Sequence, residues 1–392
     1  MLEDISQGEI VEVVSPVGHE AENEPREARA LKGIALCLSG GGYRAMVFHL
    51  GALWRLNELG YLPKLTRISS VSGGSITSGV LAVAWPHLTF DASGVSSNFN
   101  SLVVAQIRKM ADQTIDVGSV IRGILTVGSI GDRVAKAYSR FLFGEKTLQD
   151  LPDEPRFVIN ATNVQSGVLW RFSKPFTWDY RVGEIENPTI KIAVAVAASS
   201  AFPPVLSPVV LNLKDSDYTP NSGKDLQYEP FTTKVVLTDG GVYDNLGLET
   251  AWKSAETILV SDGGGNLPAQ AKPWRNWFIH MLRVLFIIDN QVRSLRKRQT
   301  IESYQLGVRK GTYWGIRTNI NDYELSDALD CPFDKTIKLA NISTRLKRLD
   351  SITQERLINW GYAVTDAAMR KHVDPSLPKP DGFPYPKADV GA

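Results

Sequence analysis

The chain is poor in the features that hold a protein together from outside its core. Two cysteines in 392 residues, Cys37 and Cys331, cannot build a disulfide framework, and Cys37 sits in an apolar run that reads as a buried strand. A reducing, cytoplasmic setting is expected. No stretch approaches roughly 18 uninterrupted apolar residues, which excludes a membrane-spanning helix. Charge of one sign is also lacking: 43 Lys and Arg face 42 Asp and Glu, a net +1, so no global field argues for a nucleic acid polymer as partner. Residues Met1 to Glu27 are acidic and hold no apolar h-region, so they are not expected to be a signal peptide. No acidic loop has EF-hand spacing, and neither a metal nor a cofactor is expected. Internal repeats and low-complexity tracts are absent.

What is present is a 43% hydrophobic composition with a repeated local grammar. Residues 1–32 are polar and aperiodic, and read as an N-terminal extension. From Gly33 the apolar run Ile34 to Leu38 ends in glycines, and Tyr43 to Leu59 has helical character closed by Gly60. Leu65 to Val71, the turn Ser72-Gly73-Gly74 and the helix Ser75 to Trp85 repeat the pattern. Two consecutive βα units predict a parallel or mixed sheet. Amphipathic pieces at Leu102 to Met110 and Val134 to Phe143 predict helices on or beside the catalytic face, and residues 99 to 143 are the expected walls of a substrate groove. Arg156 to Thr162, Val168 to Phe172, Lys234 to Thr238, Thr257 to Ser261 and Tyr313 to Ile316 predict strands, and Ile352 to Lys371 a final helix. Residues 190–201 are ambiguous, since their β-branched content favours a strand and their alanines a helix. Asp215 to Pro230 reads as a surface loop.

Three segments carry chemistry. Ser70-x-Ser72-x-Gly74 is a near match to a nucleophile elbow, in which a strained strand-to-helix turn exposes the serine oxygen. Ser70 does not fit, because Ser72 rather than Gly stands two places after it. A serine needs a base. The five histidines carry no local mark of that role, although any one of them could lie near Ser72 in space: His49 lies inside the first helix, His87 past a helix end, His280 in an apolar helical stretch, and His19 and His372 near the chain ends. Asp239 closes the apolar strand Val235-Val236-Leu237 and precedes Gly240-Gly241; burial there would raise its pKa and improve it as a base. Asp262-Gly263-Gly264 also follows an apolar run but lacks the Val-Tyr-Asp-Asn continuation found after Asp239. Gly40-Gly41-Gly42 between a strand and a helix can cradle a phosphate or an oxyanion. The Walker spacing and G-x-G-x-x-G are both missing, since Tyr43, Arg44 and Ala45 follow, and an oxyanion hole fits better. Arg44 has two readings: it holds the phosphate of a lipid head group, or it fixes the glycine loop through a carboxylate.

With these residues in view, the chain resembles the patatin-like phospholipase family, which shares its catalytic parts with the cytosolic phospholipases A2. The resemblance rests on Gly40-Gly41-Gly42-x-Arg44, Val71-Ser72-Gly73-Gly74 and Asp239-Gly240-Gly241-Val242-Tyr243-Asp244-Asn245. Ala161-Thr162-Asn163-Val164 and Ala198-Ser199-Ser200-Ala201-Phe202-Pro203-Pro204 extend it, so that it runs from about Gly33 to Gly263, and the remainder is similar to tails of bacterial members. It implies an α/β fold, a three-layer α/β/α sandwich with a central mostly parallel sheet, and a helix over residues 190–201. It also implies a Ser-Asp dyad without histidine: Ser72 as nucleophile, Asp239 as base, and an oxyanion segment of Gly40, Gly41, Gly42 and Arg44. Ser70 departs from the pattern, standing where the elbow's first glycine belongs. The expected organisation is an extension at 1–32, a catalytic domain at 33–265 and a basic helical region at 266–392 packed on it. The expected activity is hydrolysis of glycerophospholipid esters through an acyl-serine. Alternatives are a carboxylesterase of small esters and a catalytically silent module that binds lipid or nucleotide.

Trp274 to Arg298 mixes Trp274, Trp277, Phe278, Met281, Leu282, Leu285 and Ile288 with Arg275, Arg283, Arg293, Arg296, Lys297 and Arg298. An interfacial helix in peripheral contact with a membrane has this composition, and so does a helix packed on the sheet. The packed arrangement, with the basic end from Arg293 onward exposed, is the expectation. Some bacterial patatin-like enzymes are defence effectors switched on by a cyclic nucleotide, and the basic segment could serve such an activator.

Overall fold

The computed structural model describes residues 32–115 and 130–391, so most of the N-terminal extension and part of the expected groove wall lie outside the described residues. The two βα units are β1 (Ile34–Leu38), α1 (Gly42–Glu58), β2 (Leu65–Val71) and α2 (Gly73–Ala84). Helical residues 100–111, ending in α3 (Ala105–Ala111), and α4 (Ile130–Tyr138) follow. Next come β3 (Arg156–Asn163), β4 (Leu169–Phe172), β5 (Phe176–Asp179), β6 (Gly183–Glu186), α5 (Ile192–Ser199), β7 (Val209–Asn212) and β8 (Lys234–Asp239). The chain continues through α6 (Gly241–Asp244), α7 (Leu248–Trp252), β9 (Thr257–Asp262), α8 (Trp277–Gln305), β10 (Lys310–Gly315), α9 (Phe333–Ala340) and α10 (Ser351–His372).

One ten-stranded sheet runs β10-β9-β1-β2-β3-β4-β5-β6, with β8 on β3 and β7 on β8. The strands from β10 to β3 are parallel, and β4 to β8 are antiparallel additions. The continuous apolar run of β1 is explained by burial on both faces. Leu36 and Leu38 point into the main core with α1 and α10, while Ala35 and Cys37 pack with Leu248 and Ala251 of α7 on the other face. Helices on both faces make three layers. Cys37 and Cys331 are both buried and unpaired.

The C-terminal region is part of this body. β10 extends the sheet next to β9, and α10 crosses α1 inside the main core. The crossing is close because both helices present glycine: a Cβ on Gly361 would lie 2.0 Å from the Phe48 carbonyl oxygen, and one on Gly51 would lie 2.0 Å from that of Ile358. The buried Arg55 of α1 and Asp366 of α10 pair at 2.8 Å beside it. Residues 190–201, ambiguous from composition, contain the helix α5, because a helix satisfies its backbone inside the core without joining a strand. β5, β6 and β7 were not foreseen; each is only four residues long.

Helix α8 reverses the expected packing. Its basic half lies against the body: Arg296 pairs with Asp244 and Glu249, and Lys297 with the buried Asp262, while Arg293 pairs with Asp289 one turn back on the same helix. Its apolar half is exposed. The acidic groups at the ends of β9 and α6 draw the cations inward, and the apolar residues, on the preceding turns, are carried outward. No helix among the described residues is long and apolar enough to cross a membrane.

Gly361→Ala is expected to destabilise the fold by about 1–3 kcal/mol through overpacking at the α1–α10 crossing. Urea denaturation would measure the loss, with the residual folded protein keeping its activity per mole.

Candidate active site

The register of β3 brings Ser72 and Asp239 together. β2 lies along β3 as far as the pair Val71–Asn160, and β8 takes over from Ala161, which pairs with Asp239. β4 occupies the opposite flank of β3 over Ile159 to Thr162, so β2 and β8 share one flank and run toward each other. Their C-terminal ends meet there. Ser72 follows the last residue of β2, and Asp239 is the last residue of β8.

Ser72 has φ +51°, ψ −117°, a conformation a non-glycine residue holds only when its surroundings impose it, as at a nucleophile elbow. Gly73 and Gly74 permit the turn: a Cβ on Gly73 would lie 2.2 Å from the Gly42 carbonyl oxygen, and one on Gly74 would lie 2.3 Å from that of Leu38. Ser70 hydrogen-bonds to Val158 and Ser75 within this packing, in the place where a glycine was expected. Ser199, at the end of α5, ties the ends of β2 and β8 together. Its hydroxyl accepts the Ser72 N–H at 2.9 Å and meets Ser75 Oγ at 2.9 Å, and its carbonyl accepts the Gly240 N–H at 3.2 Å.

Asp239 is buried. Its Oδ1 accepts the Gly241 N–H at 2.7 Å, while Oδ2 has no hydrogen-bond partner among the described residues. Burial raises the carboxyl pKa to about 7, against the opposing effects of the Gly241 N–H and the nearby Ser72 hydroxyl; Asp289 of α8 adds a smaller push upward. Ser72 is therefore close enough to act on Asp239 without a fully formed bond to Oδ2, as is common before substrate tightens a site.

The glycine loop packs directly on this elbow. Gly41 and Gly42 have φ of +148° and +61°, and a Cβ on Gly42 would lie 2.8 Å from the Arg345 carbonyl oxygen. The Gly40 N–H is engaged by the Asn245 carbonyl and the Tyr43 N–H by the Arg345 carbonyl, both at 3.1 Å. Gly41 and Gly42 are left as the donors without a backbone partner among the described residues. The Gly40 N–H, included in the expected oxyanion segment, points instead into the protein, because Asn245 completes its hydrogen bond.

Arg44, also included, is buried and engaged by backbone carbonyls. Its Nε and Nη2 donate to the Gly263 carbonyl at 3.2 and 3.0 Å, and Nη1 donates to the Ile342 carbonyl. Burial lowers its pKa to about 10, which leaves it charged at neutral pH. The carboxylate expected as one of its two possible partners is not what holds it. Backbone carbonyls hold the guanidinium, and it pins the first turn of α1 to two later segments.

His49 is equally structural. One ring nitrogen meets Ser261 Oγ at 2.8 Å and the other donates to the Ser39 carbonyl at 2.9 Å, and burial lowers its pKa to about 4. Asp262 stands at the end of β9, separated from β2 by β1. Burial alone would raise its pKa, but Lys297, Tyr313 and the Gly264 N–H outweigh it and hold the carboxyl well below the usual range. Ser199, Asn245 and the 342–345 segment were missed as supports of the site. Ser199 and Asn245 lie within the blocks that carried the resemblance, whereas nothing local in the sequence marks Arg345.

Gly42→Ala is expected to lower kcat by about 100-fold or more with little change in KM, since it disturbs an N–H expected to serve as an oxyanion donor rather than in ground-state binding. Steady-state kinetics on a soluble ester would separate the two parameters.

The family model for patatin-like phospholipase matches residues 36–252, over half of the chain. A patatin-like phospholipase domain-containing protein of Aspergillus oryzae is 27% identical over 188 residues, which is 47% of this chain and 23% of the fungal protein. Human GIVD cytosolic phospholipase A2, in complex with methyl gamma-linolenyl fluorophosphonate, aligns over 86% of this chain and 58% of its own with 13% identity and a TM-score of 0.48. VipD from Legionella pneumophila aligns over 86% of this chain and 66% of its own, with 16% identity and a TM-score of 0.32. The match thus spans less than a quarter of the fungal relative and under two thirds of the human enzyme. By the family match over residues 36–252, which encloses Ser72, Asp239 and the glycine loop, the chain belongs to the patatin-like phospholipase family.

Proposed function

We propose that the chain is a serine-dependent lipid acyl hydrolase of the phospholipase A type, working through a Ser72–Asp239 dyad. The observation that carries this reading is the meeting of a strained elbow serine with a buried carboxyl whose pKa is raised to about 7. A base with that pKa accepts a proton at neutral pH and returns it readily. Ser72 Oγ attacks the ester carbonyl carbon while its proton passes to the Asp239 carboxylate. The Gly41 and Gly42 N–H groups stabilise the resulting oxyanion, each donor contributing about 3 kcal/mol. Collapse breaks the bond to the alcohol, which leaves with the proton from Asp239. Water then attacks the acyl-serine, gives its proton to Asp239, and the fatty acid departs as Ser72 recovers its proton.

A nucleotide-triggered defence role gains no support from α8, where Arg293, Arg296 and Lys297 are already paired with carboxylates. Hydrolysis of small esters alone is separated from the proposed activity by the products formed from vesicles.

Mass spectrometry of phospholipid vesicles is expected to show released fatty acid with the unaltered chain and with Asp262→Asn, and none with Ser72→Ala or Asp239→Asn. Loss with Asp262→Asn but not with Asp239→Asn would overturn the assignment of the base.

The same carboxyl sets the pH response. Activity on a soluble ester should rise through about pH 7 as Asp239 ionises. Stability should move the other way. The carboxyl's pKa is higher in the folded than in the unfolded chain, so its stabilising contribution is full below about pH 4 and is lost as pH rises through about 7. Asp239→Asn should therefore be inactive yet more stable than the unaltered chain at pH 8, by on the order of 1–4 kcal/mol, with the gain vanishing near pH 4 in denaturation measurements.

A further inference from the structure

Helix α8 has two unlike halves. The C-terminal half is held to the body through Lys297 and Asp262, Arg296 and Asp244, and a 2.8 Å hydrogen bond from Tyr304 to the Ile258 carbonyl. The half from Trp277 to Ile288, Trp-Phe-Ile-His-Met-Leu-Arg-Val-Leu-Phe-Ile-Ile, is apolar at ten of twelve positions and stands in solvent. Trp277 is 74% exposed, Leu285 52% and Ile288 54%. At about 100° per residue the exposed Trp277, Phe278, Ile279, Met281, Val284, Leu285, Ile287 and Ile288 surround the helix rather than forming one stripe.

We infer that this half of α8, with the preceding Trp274, is the element that docks the protein on an anionic phospholipid bilayer. The inference rests on the hydrolase reading only for its purpose, not for its geometry. A second copy of the chain would offer a surface that covers one stripe, whereas fluid hydrocarbon covers a helix on all sides. Charge points the same way: residues 263–288 hold Lys272, Arg275 and Arg283 and no Asp or Glu. Two tryptophans flank the start of the helix, as suits a headgroup boundary. Twelve residues reach about 18 Å, short of the roughly 30 Å hydrocarbon layer, so the segment enters one leaflet and does not span.

The position of the segment relates docking to the chemistry. Phe286 stacks on Phe202 with ring centroids 6.1 Å apart and planes 2° from parallel. Phe202 directly follows Ser199-Ser200-Ala201, where Ser199 holds the Ser72 N–H and the Ala201 carbonyl accepts the Asp239 N–H at 3.0 Å. One turn beyond Phe286, Asp289 acts electrostatically on Asp239. The exposed apolar half therefore leaves the body beside the dyad, where a lipid drawn from a leaflet would arrive.

The test uses the full chain carrying Ser72→Ala, so that vesicles stay intact during binding. Co-sedimentation with vesicles of phosphatidylglycerol and phosphatidylcholine in equal parts is expected to capture it, with a blue shift in tryptophan emission. Adding Trp277→Ser and Leu285→Ser should weaken the partition at least about tenfold. Lys272→Glu with Arg275→Glu should weaken it several-fold on these vesicles and leave partition onto pure phosphatidylcholine unchanged. An unchanged partition of the Trp277→Ser, Leu285→Ser variant would overturn the inference. So would a lipid-free dimer that this variant converts to a monomer, which would assign the surface to a second copy. With Ser72 intact, the Trp277→Ser, Leu285→Ser variant should hydrolyse a soluble short-chain ester at the unaltered rate and lose hydrolysis of vesicles. If the chain binds vesicles yet hydrolyses no ester, docking stands and the hydrolase reading fails.

Discussion

The candidate site depends on one constraint, the sharing of a single flank of β3 by two strands that approach from opposite ends. Neither β2 nor β8 could be lengthened by a residue without colliding with the other, since Val71 and Asp239 face consecutive residues of β3. The chain must turn away at both ends, and it turns on glycines: Gly73-Gly74 after Ser72, and Gly240-Gly241 after Asp239. A Cβ on Gly240 would lie 2.3 Å from the Asn160 carbonyl oxygen, which shows how closely the second turn passes β3. The strain at Ser72 is thus imposed by sheet topology, and Ser199 reinforces it by holding the serine N–H. Under the proposed dyad, no third residue is needed to orient Asp239. Asp239 is itself part of a strand, so the backbone hydrogen bonds of that strand orient it.

The two Asp-Gly-Gly segments separate what the local motif supplies from what the fold supplies. Both aspartates end buried strands, and both accept an N–H from the turn that follows. Among the described residues no cation acts on Asp239, so burial dominates and its carboxyl is pushed toward neutrality. Asp262 has Lys297 and the Tyr313 hydroxyl, and stays ionised. Its charge is put to structural use. Ser39 Oγ contacts its Oδ1 at 3.2 Å and accepts the Gly263 N–H at 2.8 Å, and Gly263 in turn holds Arg44. The glycine loop is thereby anchored from the side away from Ser72. Changing the neighbours, with the motif constant, turns a carboxyl held near neutrality into a fixed counter-ion.

Much of this was legible because it is local. A strand, a glycine turn and a helix in immediate succession locate the elbow and the glycine loop, and β1, β2 and the helices after them fall close to where their patterns place them. Asp239 could be picked out by its strand and its glycines. What could not be read is contact between distant segments. Arg44 reaches Ile342, a separation of 298 residues, and Arg345 lies on Gly42 from a stretch with no pattern of its own. The four-residue strands β5, β6 and β7 are too short to show a period. The direction in which α8 packs was misjudged because apolar content was assumed to decide it.

The orientation of α8 has a physical cause with wider reach. Amphipathic helices ordinarily bury the apolar side and solvate the charged one, because burying an unpaired charge costs more than exposing a methylene. The rule fails when the body presents buried carboxylates that themselves need cations. Asp244 and Asp262 are both enclosed, and without Arg296 and Lys297 each would carry the desolvation penalty of a lone buried charge. Supplying those cations fixes the C-terminal half of α8 against β9, α6 and α7. A single rigid helix then has no freedom to fold its other end back: twelve residues beyond the anchor must follow the axis outward. The exposed apolar surface is therefore a consequence of how the acidic strand ends are neutralised, and the same ion pairs that stabilise the glycine loop's support aim that surface beside the dyad.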